Sequence, residues 1–367
     1  MKITDVTVQL VQSDCGRKWT HVHVHTDEGI TGIGEGTYSH KERVVAAMVM
    51  DLKEHVIGRD PFASEQIYLD LYAGARTGYG TGGVMFTSAI SGIDQALWDI
   101  KGKALNAPIC ALLGGPRTAK VPVYAHFGGR EIPAMIDSAQ NILAQGFTGI
   151  KSGISIFDSQ GPKITREELR KIDERYAALR QAVGEDVKIM DDPHGLFDPP
   201  SALEVARLLE PYRLLFFEEP TLPEDPQGYA RVRQATSTPI AGSERLTSKR
   251  RYNEFFCAGA VDVAQPDIVY IGGITEMKKV ATLAETYQVV IAPHNTKGPV
   301  GIMAAAHVMA SIPNALIQEF LAPTVIPWRN EVLKDPLVLE DSCLVVPDRP
   351  GLGIEFDEEA LKAHVVE

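Results

Sequence analysis

Eight short apolar runs, separated by segments with helical periodicity, constrain what the chain after residue 120 can fold into. They lie at residues 121–127, 148–153, 186–192, 213–219, 239–244, 261–267, 289–294 and 315–320. Apolar runs that alternate with amphipathic helices are typical of βα units around a parallel sheet, because such strands are buried on both faces. Eight successive units within about 200 residues favour a (β/α)8-type barrel over an open sheet.

The first 120 residues have a different pattern. Residues 2–11 and 20–35 alternate polar and apolar positions, as antiparallel strands do, with a turn at 26–29. A helix is predicted over 88–105, and its period divides the side chains into a buried face and an exposed one. The predicted buried face holds Ile90, Ile93, Leu97, Ile100 and Leu105, and the predicted exposed face holds Asp99 and Lys103.

We therefore expect an α/β protein of two domains. Residues 1–120 would form an α+β capping domain and residues 121–340 a (β/α)8-type catalytic barrel. The segment 343–357 is strand-like with a Pro/Gly turn, so residues 341–367 are expected to fold back onto the cap.

Composition restricts the partners. The formal net charge is −12, whereas nucleic-acid binding depends on clustered Lys and Arg, so we expect no nucleic-acid partner. No stretch reaches the roughly 20 apolar residues of a membrane helix, and residues 1–10 lack the apolar core of a signal peptide. The four cysteines form no CxxC pair. These features predict a cytoplasmic protein with reduced thiols and no membrane partner.

Polar residues that end the predicted strands are candidates for chemistry, because the active site of such a barrel lies at the carboxyl ends of its strands. Asp192, Glu218 and Glu244 follow one another at intervals of 26 residues. This spacing, about one βα unit, places the three acids on one rim. Three carboxylates without Cys or His are hard oxygen ligands of the kind that Mg²⁺ prefers, and a cation would relieve their mutual repulsion.

The same spacing distinguishes neighbouring acids. Only Asp192, and not Asp191, keeps the 26-residue step to Glu218. Residues two apart on an extended strand point the same way, so His194 is expected to join Asp192 over the barrel mouth while Asp191 faces outward. Glu218 is selected over Glu219 by the same argument, and Glu219 is interpreted as a structural acid.

Four further strand-end residues complete the rim. His294 ends the seventh run and Asp267 the sixth, and an aspartate beside a histidine orients the ring and favours its charged form. The pair is therefore a candidate general base. Glu319 ends the eighth run, and Lys151 in the second run would place a positive charge across from the metal.

In order along the chain, the segments "TDEG…GEG", "TSAISGIDQALWDIKGKAL", "LLGG", "DPHG", "FFEEP", "GSERL", "QPD", "GGITE", "PHNTKGP" and "PGLGIEFDEE" resemble the enolase superfamily. The similarity covers essentially the whole chain. It is strongest to the mandelate racemase-like subgroup, and within that subgroup to acid-sugar dehydratases of the galactonate dehydratase type. This resemblance implies a homo-oligomer, since relatives commonly assemble.

The resemblance also implies a role for each candidate. Asp192, Glu218 and Glu244 would bind Mg²⁺, His294 with Asp267 would be the base, and His194 the general acid. Glu319 would hydrogen-bond the intermediate. The implied reaction removes the proton next to the carboxylate of a sugar acid and expels the 3-hydroxyl, giving a 2-keto-3-deoxy acid.

One departure keeps a second reaction open. The racemases and cycloisomerases of the subgroup carry Lys-x-Lys at the end of the second strand, whereas this chain has Lys151, Ser152 and Gly153. The missing second lysine weakens a racemase, epimerase or cycloisomerase interpretation, although His194 could serve as the second base. The intact acid trio disfavours a non-catalytic relative. The lack of His ligands in that trio disfavours a metal-dependent hydrolase.

Three other segments of the sequence contain patterns that bear on function. The segment 78–83, "GYGTGG", matches a dinucleotide motif but follows a helical segment, so a loop closing over the barrel mouth is favoured. The segment 14–19, "DCGRKW", is interpreted as a specificity loop in which Arg17 or Lys18 meets the distal end of the sugar acid. His21, His23 and His25 are expected on a solvated strand face.

Overall fold

The structure, a computed structural model, describes residues 1–12, 16–74, 83–323, 326 and 328–366. Its first sheet is antiparallel, and three of its strands come from the amino terminus: β1 (Ile3–Gln12), β2 (Lys18–Thr26) and β3 (Thr31–Glu35). They are followed, among the described residues, by the helices α1 (Glu42–Leu52), α2 (Ser64–Ala73), α3 (Gly83–Ala104) and α4 (Ile109–Leu112). Apolar residues of the sheet and of α1 to α3 form one buried core.

Helix α3 confirms most of its predicted buried face but not all of it. Leu105 lies beyond the last residue of the helix and is 55% exposed, so its placement in the core was wrong. The exposed position predicted for Asp99 was also wrong, because its side chain is buried. Asp99 accepts hydrogen bonds from the backbone N–H groups of Ile33 (3.0 Å) and Leu352 (2.9 Å), which are remote in sequence.

The predicted solvation of the three histidines in β2 was wrong for His21. Its ring is buried between Trp19 and Phe356, and burial lowers the pKa of His21 to about 3. The part of β2 that carries His21 is therefore covered by the returning tail of the chain, which supplies Phe356.

All eight predicted parallel strands are present. They are β4 (Lys120–His126), β5 (Gly149–Ser152), β6 (Lys188–Asp191), β7 (Phe216–Glu218), β8 (Ile240–Gly242), β9 (Val263–Ala264), β10 (Val290–Ile291) and β11 (Gln318–Glu319). Each strand pairs in parallel with the next from β4 to β10, and β11 pairs with β4. A parallel bridge between Ile291 and Ala315 joins the two ends, so the sheet closes into the barrel that the sequence predicts.

Seven helices connect the barrel strands: α5 (Ile132–Ala144), α6 (Arg166–Val183), α7 (Pro199–Leu209), α8 (Pro226–Arg233), α9 (Lys249–Ala258), α10 (Gly273–Thr286) and α11 (Pro299–Ser311). Several begin at side chains suited to capping, among them Thr165, Asp198 and Ser248, which accept hydrogen bonds from the first turn. Helix α11 is buried on every side, as its almost wholly apolar sequence requires.

The last part of the chain contacts both the barrel and the cap. It contains α12 (Trp328–Glu331), β12 (Leu339–Glu340), β13 (Cys343–Val345), α13 (Glu358–Lys362) and β14 (Val365–Val366). Strand β13 pairs antiparallel with β4, and β14 pairs with β1 in the cap sheet. The domain bounds given above remain a prediction. No helix among the described residues is long and apolar enough to cross a membrane.

A buried carboxylate joins the cap to the barrel. Glu35, the last residue of β3, accepts hydrogen bonds from the backbone N–H groups of Gly298 (2.9 Å) and Gly301 (2.8 Å) at the start of α11. The first turn of a helix has N–H groups without intrahelical partners, and a carboxylate is the partner that the helix dipole favours. Because α11 follows His294 in sequence, this contact joins the cap to the segment that follows the candidate base.

Candidate active site

The residues predicted at the strand ends lie at the carboxyl end of the barrel. Each is the last or next-to-last residue of its strand or follows the strand by one to three residues. They are Lys151 at β5, Asp192 at β6, Glu218 at β7, Glu244 at β8, Asp267 at β9, His294 at β10 and Glu319 at β11. All parallel strands of a closed barrel end on the same side, so this arrangement alone places these side chains on one rim.

Lys151 is at the centre of this charged cluster. Its ammonium nitrogen lies 2.8 Å from Glu218 Oε2, 2.7 Å from Glu319 Oε1 and 3.4 Å from Asp192 Oδ2. Burial lowers the pKa of Lys151, but the charges of Glu218 and Glu319 outweigh burial and raise it well above its usual range. The lysine is therefore a fixed cation that lies among the acids.

The three predicted metal ligands are neighbours but do not form a ready cage. Among the residues that the structure describes, no group of three His, Cys, Asp or Glu side chains is arranged to hold a metal ion. Two of the three acids, Asp192 and Glu218, each direct an oxygen at Lys151.

The chemistry of these acids nevertheless suits a divalent cation. Glu218 Oε1 is buried without a hydrogen-bond partner. Burial, followed by the charge of Asp192, raises the pKa of Glu218 well above its ordinary value. An orphaned carboxylate oxygen among hard oxygen donors fits Mg²⁺, provided that the acids turn away from Lys151.

His194 lies beside Asp192 because the chain turns, not because the strand continues. Strand β6 ends at Asp191, and His194 has a positive φ of 52°. Its backbone N–H donates to Asp192 Oδ1 (2.9 Å), and its Nε2 lies 3.4 Å from Asp192 Oδ2. The ring remains 63% exposed, so it can contact a molecule in the barrel mouth.

The two acids that the spacing rejected have other partners. Asp191 is buried and accepts a hydrogen bond from the backbone N–H of Ser155 (3.2 Å). Glu219 is also buried and is paired with Arg245, whose Nη2 also donates to the carbonyl oxygen of His194 (2.9 Å). Arg245 therefore links Glu219 to the turn that holds His194, which is the structural role expected of Glu219.

His294 and Asp267 form the predicted pair. Nδ1 of His294 lies 2.6 Å from Asp267 Oδ2, which leaves Nε2 facing the acids at 3.5 Å from Glu244 Oε2. Burial lowers the pKa of His294, but Glu244 and Glu319 outweigh it and raise the value to about 10. Lys297, which is fully buried, lies 3.0 Å from the same Asp267 oxygen and keeps that carboxylate ionised.

Glu319 is the most heavily bonded acid of the rim. One oxygen accepts from Lys151 and from His126 Nε2 (2.5 Å), and the other accepts from the backbone N–H of Asn295 (2.6 Å). Burial opposes ionisation, but Lys151 and then His294 hold the pKa of Glu319 well below its usual range. Glu319 therefore stays charged, with its orientation fixed by three donors.

Two residues of this rim were not predicted from the sequence. His126 is the last residue of β4, so the rule that polar residues at strand ends are candidates would have found it. Lys297 lies in the loop after His294, where neither spacing nor periodicity marks it. Its role depends on a side chain folding back to Asp267, which only the structure reveals.

Two cavities are lined by residues of both the cap and the barrel. One, of about 520 Å³, is lined by Tyr38 of the cap and by Glu244, Arg245 and Tyr270 of the barrel. The other, of about 640 Å³, is lined by Arg17 and Lys18 among others. The predicted closing loop at 78–83 lies outside the described residues except for Gly83, which begins α3, and residues 13–15 of the other predicted loop lie outside them as well.

Comparison with known families gives two matches that together cover most of the chain. Residues 8–114 match the mandelate racemase / muconate lactonizing enzyme N-terminal domain, and residues 134–360 match the enolase C-terminal domain-like family.

Relatives and solved structures agree with these matches. The chain is 37% identical to the D-galactonate dehydratase of Xanthomonas euvesicatoria pv. vesicatoria, covering 99% of this chain and 94% of the relative. It is 37% identical to the D-galactonate dehydratase of Ralstonia pickettii, with 98% and 93% covered. An enolase superfamily member from Salmonella Typhimurium superposes with a TM-score of 0.93 at 32% identity, over the full length of both chains. A mandelate racemase/muconate lactonizing enzyme-like protein from Roseovarius sp. TM1035 gives 0.91 at 31% identity, with 99% and 95% covered.

Proposed function

Because this chain belongs to the mandelate racemase and muconate lactonizing enzyme family of the enolase superfamily, we propose that it is a Mg²⁺-dependent dehydratase of a sugar acid such as galactonate. Relatives named D-galactonate dehydratase, similar over nearly the whole chain, support removal of water as the reaction. The product would be a 2-keto-3-deoxy acid.

One observation carries the proposal. The acids at β6, β7 and β8 have an imidazole at each end of their row: His194 Nε2 lies 3.4 Å from Asp192, and His294 Nε2 lies 3.5 Å from Glu244. Dehydration needs one group that removes a proton from carbon and another that protonates a departing hydroxyl. Two histidines at the two ends of the row supply both.

Asp192, Glu218 and Glu244 would hold the cation. A bound Mg²⁺ supplies positive charge that offsets the clustered carboxylates and acidifies the proton next to the substrate carboxylate.

Against the effect of burial, the charges of Glu244 and Glu319 raise the pKa of His294, and a cation held by the acids would offset them and leave the ring neutral. His294 would then take the α-proton on Nε2, since its Nδ1–H donates to Asp267, which fixes the tautomer.

The electrons of the broken C–H bond form a C=C bond within the substrate, and the C3–O bond breaks. His194 would give its proton to the departing oxygen, which leaves as water. The resulting enol tautomerises to the 2-keto acid. Lys151 would hold the substrate carboxylate in place through its charge, and Glu319 would accept a hydrogen bond from a hydroxyl group of the intermediate.

The test separates the two histidines. His194→Asn is expected to abolish formation of the 2-keto acid while exchange of the substrate α-proton in D₂O remains measurable by NMR, because the base is intact. His294→Asn should abolish both reactions. His55→Asn, a substitution in the cap away from the rim, is the control and should change neither.

Metal dependence provides a second check. Exhaustive chelation should remove both dehydration and exchange, and added Mg²⁺ should restore them. Full turnover after chelation, or dehydration that survives His194→Asn, would refute the assigned roles.

An epimerase is the second candidate, because His194 and His294 could each act as a base on opposite faces of the same carbon. The measurement that separates it is the mass of the product: an epimerised acid keeps its water, whereas the dehydrated acid does not.

A further inference from the structure

Helix α11 begins without a capping side chain of its own. Its first flanking residue is Gly298, whereas each of α6 to α9 is capped by the side chain that precedes it in sequence. The acceptor for the first turn of α11 comes from the cap domain instead, because Glu35 takes the N–H groups of Gly298 and Gly301. The barrel sequence therefore leaves these donors for the cap to satisfy.

The carboxylate that caps α11 is held in one orientation. Glu35 is fully buried, and its Oε1 accepts a further hydrogen bond from the hydroxyl of Thr37 (2.7 Å). A Cβ on Gly298 would lie 3.0 Å from Glu35 Oε2, and one on Gly301 would lie 3.1 Å from the same oxygen. Glycine at both positions lets the carboxylate approach the helix this closely.

Gly298 directly follows Lys297, whose ammonium contacts the candidate base pair. Lys297 is 1% exposed, its Nζ lies 3.0 Å from Asp267 Oδ2, and it donates to the hydroxyl of Tyr270 (2.9 Å). The same Asp267 oxygen lies 2.6 Å from Nδ1 of His294. Burial lowers the pKa of Lys297, but the charge of Asp267 outweighs burial and raises it, so the ammonium stays charged.

The backbone of Lys297 is fixed on both sides. Before it, Asn295 Oδ1 accepts a hydrogen bond from the backbone N–H of Lys297 (3.4 Å). After it, Gly298 is bonded to Glu35. Burial raises the pKa of Glu35, and the charge of Lys297 is one of the influences that lower it, so the two side chains are within electrostatic reach of each other. The cap and the loop after His294 are thus in direct contact.

We propose that Glu35 and Lys297 are positioning residues for the base, so that docking of the cap on α11 is needed for removal of the α-proton. The inference rests on the proposed function, in which His294 removes that proton. Glu35 fixes Gly298 and with it the neighbouring Lys297. Lys297 in turn holds Asp267, which orients the ring of His294. A misplacement of about 1 Å can slow such a reaction about a hundredfold, so the loss of a distant contact is measurable.

Two carboxylates of the cap form a matched pair for the test. Glu35→Ala removes the acceptor for α11, and Asp94→Ala removes a buried acid that accepts the N–H of Thr275 in the first turn of α10 (3.0 Å). In dehydration of galactonate, Glu35→Ala should lower kcat about tenfold or more. KM should stay close to that of the parent, because the acid trio and Lys151 are untouched. Asp94→Ala should change neither constant, because the route through Lys297 is intact.

The conservative variant grades the effect. Glu35→Gln keeps one acceptor oxygen and nearly the same volume, so its kcat should lie between those of Glu35→Ala and the parent. It also keeps the test informative if Glu35→Ala does not fold. A kcat of Glu35→Gln equal to that of the parent, or a kcat that falls equally in Asp94→Ala, would overturn the proposal.

A double-mutant cycle tests whether Glu35 acts through Lys297. The readout is exchange of the α-proton in D₂O in the His194→Asn background, which isolates the step assigned to His294. Lys297→Met removes the ammonium but keeps the length of the side chain, and it should slow exchange about tenfold or more. Glu35→Gln should then slow exchange less than it does when Lys297 is present, because the route is already broken. Additive effects would mean two independent contributions and would refute the proposed route.

Unfolding temperature separates loss of position from loss of fold. Lys297→Met should lower it, because Asp267 loses a buried counterion, so rates are compared at a temperature where the variant is fully folded. Lys101→Met is the matched control, since Lys101 is a buried lysine of α3 whose ammonium donates to Ser64. It should alter the unfolding temperature without altering kcat. A folded Lys297→Met protein with the kcat of the parent would show that Lys297 is only structural.

Crystal structures give a readout that needs no turnover. In Glu35→Gln and Lys297→Met, the ring of His294 should turn or lose its hydrogen bond to Asp267, and in Asp94→Ala it should keep both. If the parent neither dehydrates galactonate nor exchanges its α-proton but the ring moves in the test variants, the positioning role stands and the reaction assignment falls. If the parent dehydrates galactonate and the test variants keep both kcat and the ring orientation, the reaction stands and the positioning role falls.

Discussion

Replacing Lys151 with Met is expected to destabilise the metal-free protein strongly and, at the same time, to increase the stabilisation that Mg²⁺ provides. The Lys151 side chain is 3% exposed, and its ammonium nitrogen lies within 3.4 Å of oxygens from Asp192, Glu218 and Glu319. Met has a similar length and no charge, so the substitution removes the cation and little packing. Three buried carboxylates then face one another without the ammonium.

The magnitude follows from the burial of every partner. Breaking a buried ion pair by deleting one member costs about 3–5 kcal/mol, because the other charge is left uncompensated. Some of that cost is recovered as the acids take up protons, so about 3 kcal/mol is expected near neutral pH. At about 2 °C or more per kcal/mol for a chain of this size, the unfolding temperature should fall by roughly 6–10 °C.

The assay is thermal unfolding in chelator and at increasing Mg²⁺. Since the variant has the same acids without a competing ammonium, each concentration of Mg²⁺ should stabilise it more than the parent. Lys171→Met is the control, because Lys171 pairs with Glu167 on an exposed helix face, where an ion pair contributes little. A Lys151→Met protein as stable as the parent in chelator, or one that gains less from Mg²⁺, would refute the view that lysine and cation share one set of acids.

Two further predictions concern the cap. Burial raises the pKa of Asp94, which accepts hydrogen bonds from Thr275, to about 6, whereas the unfolded value is 3.8. The unfolded state therefore loses this proton first as pH rises. Between about pH 4 and pH 6, the free energy of unfolding of the parent should fall by up to about 3 kcal/mol relative to that of Asp94→Asn. Urea unfolding measures this difference, and a difference that stays constant across that range would contradict the prediction. Gly34→Ala should leave little folded protein, because a Cβ there would overlap the carbonyl oxygen of Gly92 where α3 packs on β3. Gly161→Ala is the control and should be tolerated, since there is open space around Gly161. Equal soluble yields and equal unfolding temperatures for the two variants would count against this packing.

The barrel could be predicted from the sequence because parallel strands in a closed ring are buried on both faces. Their sequences are therefore short runs of apolar residues. The same regularity placed Asp192, Glu218 and Glu244 on one rim by their spacing alone. Strand lengths were less predictable, since residues 261–267 were expected to be extended and only Val263 and Ala264 pair as a strand.

Features that depend on closure of the chain were not visible in the sequence. Lys151 and Glu319 are 168 positions apart, and only the pairing of the last barrel strand with the first brings them within 2.7 Å. Asp99 was expected in solvent, but the returning tail supplies Leu352 as its partner. His194 was placed beside Asp192 by strand alternation, although a left-handed turn puts it there.

The hydrogen bonds from the start of α11 to Glu35 bear on how such enzymes can be recombined. In a chimaera that joins the cap of one family member to the barrel of another, two helix N–H groups would lack a hydrogen-bond acceptor. The grafted cap must supply that acceptor at the end of its third strand. Compatibility between caps and barrels should therefore depend on this one carboxylate more than on overall sequence similarity.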